Sequence, residues 1–297
     1  MSRKYHHRQA SLDYLDVQLP TDIKRSVTDS LKEDLGSELD ISADITARLV
    51  PSDQQSSATL FTREKGVFCG KGWAEEVFIQ LGGTVFIEWH VDDGDNLETG
   101  QKICTLNGPA RALLAGERSA INFIQTLSGC STLVSSYVSV LGETKCCLLD
   151  TRKTIPGLRN ALKYAVLCGG GFNHRMGLFD AYLIKENHII ACSGMRKAIE
   201  TAKRLDPEKK IEVEVESLAE LKKAIDCGAH IVMLDNFTTQ MMVEAVRINK
   251  GRVLLEISGN VTTDTVLEYA KTGVDYISVG ALTKNIKALD LSMCFNK

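Results

Sequence analysis

The sequence predicts a two-part α/β protein, an N-terminal α+β domain followed by an open, incomplete TIM-like α/β barrel. Three observations predict it. Short β-rich runs broken by Gly occupy residues 58–106, and from residue 146 onward six strand-like runs alternate with helix-spaced stretches. Three of those stretches stop at Gly228, Gly251 and Gly273, residues suited to end a helix. At 297 residues, 44% hydrophobic, with 23 Gly but only 5 Pro, the chain has the make-up of one or two packed domains.

Residues 1–20 show no firm period. Pro20-Thr21 then precedes Ile23, Val27, Leu31 and Leu35, one apolar stripe that stops at Gly36 and predicts an amphipathic helix. ATLFT (58–62), GVFCG (66–70), TVFIEWHV (84–91) and KICTL (102–106) read as strands, with a helical insert over 73–81. Within them, HVDDGDNLETG (90–100) resembles the turn of a lipoyl- or biotinyl-type barrel, but it has no Lys to carry a prosthetic group. After Pro109 two helices are expected, over 111–127 and 132–141.

The repeating part begins with CCLLD (146–150), followed by AYLIK (181–185), IEVEV (211–215), HIVMLD (230–235), VLLEIS (253–258) and YISVG (276–280). Helices are expected over 196–205, 218–227, 241–249 and 263–272. Asp235, Ser258 and Val279 stand 23 and 21 residues apart, the length of a compact, right-handed strand–helix unit. No Gly-rich dinucleotide fingerprint follows the first strand, so a barrel is favoured over a doubly wound sheet.

In such barrels the chemistry lies at the carboxyl ends of the strands. Those ends carry Thr151, Arg152 and Lys153; Lys185 and Glu186; Glu214 to Glu216; Asp235 and Asn236; Ser258, Gly259 and Asn260; and Val279, Gly280 and Ala281. From Thr151 to Lys185 there are six cations (Arg152, Lys153, Arg159, Lys163, Arg175, Lys185) against Asp180, a net charge of 6 − 1 = +5. The whole chain carries −3, so the remainder sums to −8. Cations so gathered repel one another unless an anion joins them, and Arg matches carboxylate in a bidentate fork. A small, multiply anionic ligand is expected. For Arg159 and Lys163, a solvated helical face remains open.

Phosphate has a second place to dock. Ser258-Gly259-Asn260 and Ser278-Val279-Gly280-Ala281 end the last two strands, and each is expected to lead toward a helix start with free amide groups. Glu214 and Asp235 could hold ribose hydroxyls, bind Mg²⁺ through water, or pair with Lys and Arg. Glu212 and Glu216 share strand parity with Glu214, and period alone leaves the choice among them open. The near-neutral balance of charge speaks against a nucleic-acid partner, and no uncharged apolar run approaches 18 residues, against a membrane span. Nine Cys, an odd count without a CxxC pair, point to reduced thiols and a cytoplasmic location.

ERSAINFIQTLSG (117–129) and DTRKTIPGLRNALKYAVLCGGGFNHRMGLFDAYLIKENHI (150–189) resemble the signature stretches of quinolinate phosphoribosyltransferase, the decarboxylating nicotinate-nucleotide pyrophosphorylase. The likeness extends through EVEVES, MLDNF, EISGN and SVGALT, and covers nearly the whole chain. It implies Mg²⁺-dependent joining of quinolinate to phosphoribosyl diphosphate, with loss of CO₂ and diphosphate, in de novo NAD synthesis.

By resemblance, Arg152, His174, Arg175 and Lys185 hold quinolinate, with Arg118 entering from the neighbouring subunit of a homodimer. Lys153, beside Thr151, contacts the diphosphate or the carboxylates. Glu214 and Asp235 serve the ribose and the metal, and residues 258–260 and 279–281 the phosphate. His174 could instead be an orienting donor, a general acid or a packing residue, and the same openness holds for His188. The implied fold is an N-terminal α/β sandwich of residues 1–117, rejoined by 282–297, with an open α/β barrel over 118–281. Two other reactions compete: nicotinate phosphoribosyl transfer without loss of CO₂, and a Schiff-base aldolase using Lys185.

Overall fold

The structure, a computed structural model, describes residues 3–296; Met1, Ser2 and Lys297, at the ends of the expected N-terminal domain, lie outside the described residues. It divides into two compact units. The first comprises residues 1–135, 154–170 and 282–297, and the second 136–153 and 171–281. The expected spans, 1–117 with 282–297 and 118–281, differ from these units at one long helix and at 154–170.

The first unit opens with α1 (Arg3–Leu35), longer than the stripe predicted and with Pro20 inside it. Leu15, Leu19, Val27, Leu31 and Leu35 are buried at multiples of four residues, so one apolar face runs along the helix on both sides of the proline. Packing of that face outweighs the amide that Pro20 cannot donate. The antiparallel sheet has the order β12-β1-β5-β3, formed by β1 (Gln55–Thr62), β3 (Phe86–Trp89), β5 (Lys102–Pro109) and β12 (Leu291–Phe295). The tail therefore returns to pair with β1, Ala58 opposite Phe295 through Thr62 opposite Leu291.

A two-stranded ribbon, β2 (Gly66–Val67) with β4 (Asn96–Leu97), and α2 (Lys71–Gln80) complete this part. Residues 90–100 brace it. Asp93 accepts hydrogen bonds from the amides of Gly70 and Lys71, at the start of α2, and from the Tyr164 hydroxyl. Burial nevertheless lifts its pKa above the usual carboxylate value.

The two helices expected after Pro109 are one, α3 (Ala110–Leu141). The break suggested near Ser128-Gly129 has another cause: a Cβ on Gly129 would run into the Lys287 carbonyl. Glycine here permits close backbone approach and does not end the helix. α4 (Arg159–Cys168) also belongs to the first unit.

In the second unit six parallel strands take the order β6-β11-β10-β9-β8-β7, and the two edges do not pair. They are β6 (Cys147–Leu149), β7 (Tyr182–Ile184), β8 (Ile211–Val215), β9 (Ile231–Asp235), β10 (Leu254–Ser258) and β11 (Tyr276–Ser278). Phe172 adds a single parallel bridge to Leu149, outside β6. The barrel is therefore open, as the count of strands predicts.

Between the strands lie α5 (Glu186–Ala191), α6 (Met195–Leu205), α7 (Leu218–Asp226), α8 (Thr239–Asn249) and α9 (Val266–Lys271), with the single turn α10 (Ala281–Lys284) after β11. Ser217 and Thr238 cap α7 and α8 by accepting from the amides of Glu220 and Met241.

Register assigns the faces. Leu183 lies opposite Glu212, Glu214 opposite Met233, Met233 opposite Glu256, and Asp235 opposite Ser258. Paired residues of parallel strands share a face, so Glu212, Glu214, Asp235, Glu256 and Ser258 all project from one side. Val213, Val215, Val232, Leu234, Leu255 and Ile257 project from the other, and all are buried.

Candidate active site

The polar face of the second unit is layered by depth. Glu212, the second residue of β8, and Glu256, in the middle of β10, are buried, with side chains 5% and 1% exposed. His174 joins them: its Nε2 lies 3.0 Å from Glu212 Oε2 and 3.6 Å from Glu256 Oε2. A buried carboxylate pair is costly, because each charge loses water and raises the energy of the other. Burial, then the charge of Glu212, pushes the Glu256 pKa up to about 8.

The His174 pKa is affected in two directions. Burial disfavours the charged ring, but Glu256, Glu212 and Asp150 together outweigh it and raise the value to about 9. Hydrogen bonding argues for the neutral ring. The Arg175 amide donates to His174 Nδ1 at 2.7 Å, which leaves Nδ1 an acceptor and the proton on Nε2. A proton resting on Glu256 removes the charge that most raises the His174 pKa, so the neutral ring is the consistent assignment.

The turn that bears His174 and Arg175 is tied down by Asp150, at the end of β6. Its two oxygens accept from Asn173 Nδ2 (2.7 Å) and from the His174 amide (2.8 Å). Asp180 accepts from the Met176 amide, and the Arg175 guanidinium donates to the Ala181 carbonyl. Desolvation, then the nearby Arg152 charge, lowers the Arg175 pKa, so two guanidinium groups share this part of the face. Arg152 Nε, Glu212 Oε1 and Glu256 Oε1 are buried with no hydrogen-bond partner among the described residues.

The outer layer contains Lys153, Lys185, Glu214 and Asp235. Lys185 Nζ is hydrogen-bonded and ion-paired to Glu214 Oε2. Asp235 has a raised pKa, from burial and then from Glu214, with Lys185 and Lys153 pulling the other way. Two carboxylates on adjacent strands, one of them raised by the charge of the other, are chemically suited to a hard divalent cation. Glu216 is exposed and its amide donates to Glu220 Oε2, which separates it from this layer.

The phosphate turns differ from expectation in two details. Val279 is buried and its amide donates to the Leu149 carbonyl, so it is not free; α9 begins at Val266, six residues beyond Asn260 rather than at the turn. Gly259 (φ +105°) and Asn260 (φ +47°) are left-handed, and a Cβ on Gly259 would collide with the Asn236 side chain. Gly280 lies against Lys153 Cδ and Thr151 Oγ1, which a Cβ there would meet at 2.9 and 3.4 Å. Thr151 Oγ1 also accepts from the Lys153 amide at 3.0 Å, so Thr151, Lys153 and Gly280 form one corner.

The six cations of 151–185 divide between the two units. Arg152, Lys153, Arg175 and Lys185 belong to the second unit, Arg159 and Lys163 to the first. Lys163 is fully buried on α4, which overturns the solvated-face reading for that residue. Arg118 is exposed on α3 in the first unit. His188 Nδ1 accepts from the Lys185 amide and caps α5. Sequence reasoning missed Glu256 and the depth of Glu212. The available signal was a carboxylate flanked by Leu255 and Ile257 inside a buried strand, where an unpaired charge is otherwise excluded.

Comparison with known proteins agrees with the resemblance. The model of the quinolinate phosphoribosyl transferase N-terminal domain matches residues 41–128, and that of the C-terminal domain residues 130–294. A nicotinate-nucleotide pyrophosphorylase (carboxylating) of Mycobacterium leprae is 40% identical over 271 residues, 89% of this chain and 94% of the relative. A mitochondrial quinolinate phosphoribosyltransferase (decarboxylating) of Nicotiana tabacum is 37% identical over 306 residues, covering 96% and 86%. The solved nicotinate-nucleotide pyrophosphorylase of Francisella tularensis superposes with a TM-score of 0.89 at 48% identity, covering 93% of this chain and 96% of that one.

Proposed function

The chain belongs to the quinolinate phosphoribosyl transferase family, and from that membership we infer that it transfers the phosphoribosyl group of phosphoribosyl diphosphate to quinolinate. The acceptor loses CO₂, and the products are nicotinate mononucleotide and diphosphate, a step of NAD biosynthesis. The observation that carries the reading is the clustering of Arg152, Arg175, Lys153 and Lys185 on one strand-end face beside Glu214 and Asp235. Two reactants that together bring two carboxylates, a phosphate and a diphosphate match such a face.

In this reading Arg152 and Arg175 grip the carboxylates of quinolinate, joined by Lys185 and by Arg118 contributed by the partner of a homodimer. His174 enters the pocket through Arg175. Lys153 faces the diphosphate, Thr151 and Gly280 hold Lys153 in its corner, and residues 258–260 with 279–281 receive the 5′-phosphate. Glu214 and Asp235 would hold Mg²⁺, which when bound supplies positive charge to the diphosphate.

Lys153 stabilises the same departing charge as the bond from C1′ breaks, and the pyridine nitrogen, held in line by the guanidinium pair, captures the oxocarbenium-like sugar. No protein nucleophile is required. Quaternising the ring nitrogen then lets the adjacent carboxylate leave as CO₂, since the carbanion left behind lies next to a positive nitrogen, and that carbon takes a proton from solvent to give nicotinate mononucleotide. Arg175 and Arg152 must hold that carboxylate without favouring the ground state over the transition state. Lys185 sits against a carboxylate, not in the apolar pocket that activates a Schiff-base lysine, which weighs against an aldolase. A cytoplasmic location fits nine cysteines, an odd count without a CxxC pair.

The test is a coupled assay of CO₂ and diphosphate with quinolinate, with and without Mg²⁺. Release of both only with metal is expected; equal use of nicotinate, or no CO₂, would remove the reading. Arg175→Ala should raise the KM for quinolinate by about ten-fold or more, the loss of a charge-assisted bond. Asp235→Asn should chiefly impair use of the sugar donor, as steady-state kinetics in each substrate would show.

A further inference from the structure

We propose that Glu212 is a positioning residue for the acceptor pocket, acting through His174 on Arg175. The inference rests on the quinolinate reading and goes beyond it, since Glu212 neither lies in the outer layer nor belongs to the residues the resemblance singles out. A continuous hydrogen-bonded chain carries it. The Arg175 amide donates to His174 Nδ1 at 2.7 Å, and the opposite ring nitrogen, Nε2, lies 3.0 Å from Glu212 Oε2. A ring that accepts on one side must donate on the other, so one tautomer satisfies both contacts.

The partners facing the ring leave Glu212 as the closer of two carboxylates. Glu256, from β10, stands at 3.6 Å, beyond a direct hydrogen bond, and interacts with Glu212 and the Ser278 hydroxyl. Asp150, from the end of β6, engages the His174 amide and the Asn173 side chain. The turn is thus pinned twice, by Asp150 through the backbone and by Glu212 through the ring. Rotation of the ring would release the Arg175 amide and let the guanidinium drift. A misplacement on the ångström scale is enough to weaken an oriented bidentate contact. Glu212 is itself fixed by β8, a strand buried on both faces, so the support is rigid.

The same three side chains form a group that could ligate a metal, with one ligand atom from each within 4.8 Å of the others. The 3.0 Å separation of Nε2 and Oε2 is that of a made hydrogen bond, which favours the strut over an ion site.

The experiment uses the full-length protein, and its first arm is the wild type: absence of quinolinate-dependent CO₂ and diphosphate would defeat the functional reading, not this inference. With activity established, Glu212→Leu removes the acceptor and His174→Phe removes both nitrogens, while Glu212→Gln keeps an acceptor oxygen. Folding of each variant is checked by thermal unfolding.

Each of the first two should raise the quinolinate KM by about ten-fold or more, with the KM for phosphoribosyl diphosphate within about two-fold of wild type, and Glu212→Gln should restore most of the loss. Combining Glu212→Leu with His174→Phe should cost little more than either alone, because both break one chain. His174→Phe is the deciding variant should Glu212→Leu not fold, and it then stands against Glu212→Gln. A quinolinate KM left within about two-fold by any folded acceptor-removing variant, parallel loss of both KM values, or additive effects would overturn the inference. So would a stoichiometric metal in the purified protein that is lost in Glu212→Leu or His174→Phe.

Discussion

Glu256 shows how a single side chain can set a pH dependence. Burial holds its pKa at about 8, against an ordinary value of 4.5. The folded state therefore binds more protons than the unfolded state between those two values, and stability falls as pH rises across that window. Below it both states are protonated and the penalty is absent; above it the folded state carries a buried charge. Glu256→Gln is neutral throughout, so its stability relative to wild type should rise by up to about 1 kcal/mol per pH unit over the window. Urea midpoints at pH 5, 7 and 9 would test this, and a constant difference would refute it. The positions of Lys185 and Asp235 at strand ends were legible in the sequence because the βα repeat fixes where each strand stops, whereas Arg175 lies in the turn between β6 and β7. Glu256 was not legible, because its role depends on His174, which is remote in the chain.

Among the elements, α3 is the one where local and tertiary signals conflict. Gly129 lowers intrinsic helix propensity by about 1 kcal/mol relative to Ala, which reads as a break. The chain around Lys287 passes so close that only glycine fits. Gly129→Ala should therefore destabilise the protein by about 1–3 kcal/mol despite the better helix former, since backbone cannot yield as a side chain can. A chemical-denaturation midpoint higher than wild type would contradict this. In α1 the conflict runs the other way: Pro20-Thr21 reads locally as a helix start, yet the buried positions Leu15 and Leu19 continue the face N-terminally. The strands β6 to β11 were readable because a parallel sheet covered on both faces demands continuous apolar runs.

At the scale of the whole molecule, the C-terminal strand is the feature with the longest reach in sequence. β12 covers one edge of β1, and deleting residues 291–297 should leave that edge open. Hydrogen exchange of the amides over Ala58–Thr62 that pair with β12 should then accelerate by at least about ten-fold, and unchanged protection would contradict the pairing. Periodicity in the sequence was enough for the alternating strands and helices, the open barrel and the cationic face, because these follow from local patterns and from charge counted along the chain. Which cations meet was settled by tertiary structure: Lys163 is buried in the first unit, while Arg152 and Arg175 share one face in the second. So was the joining of His174 to Glu212 and Glu256. Contacts between remote residues depend on register and strand order, and local propensity carries no record of either.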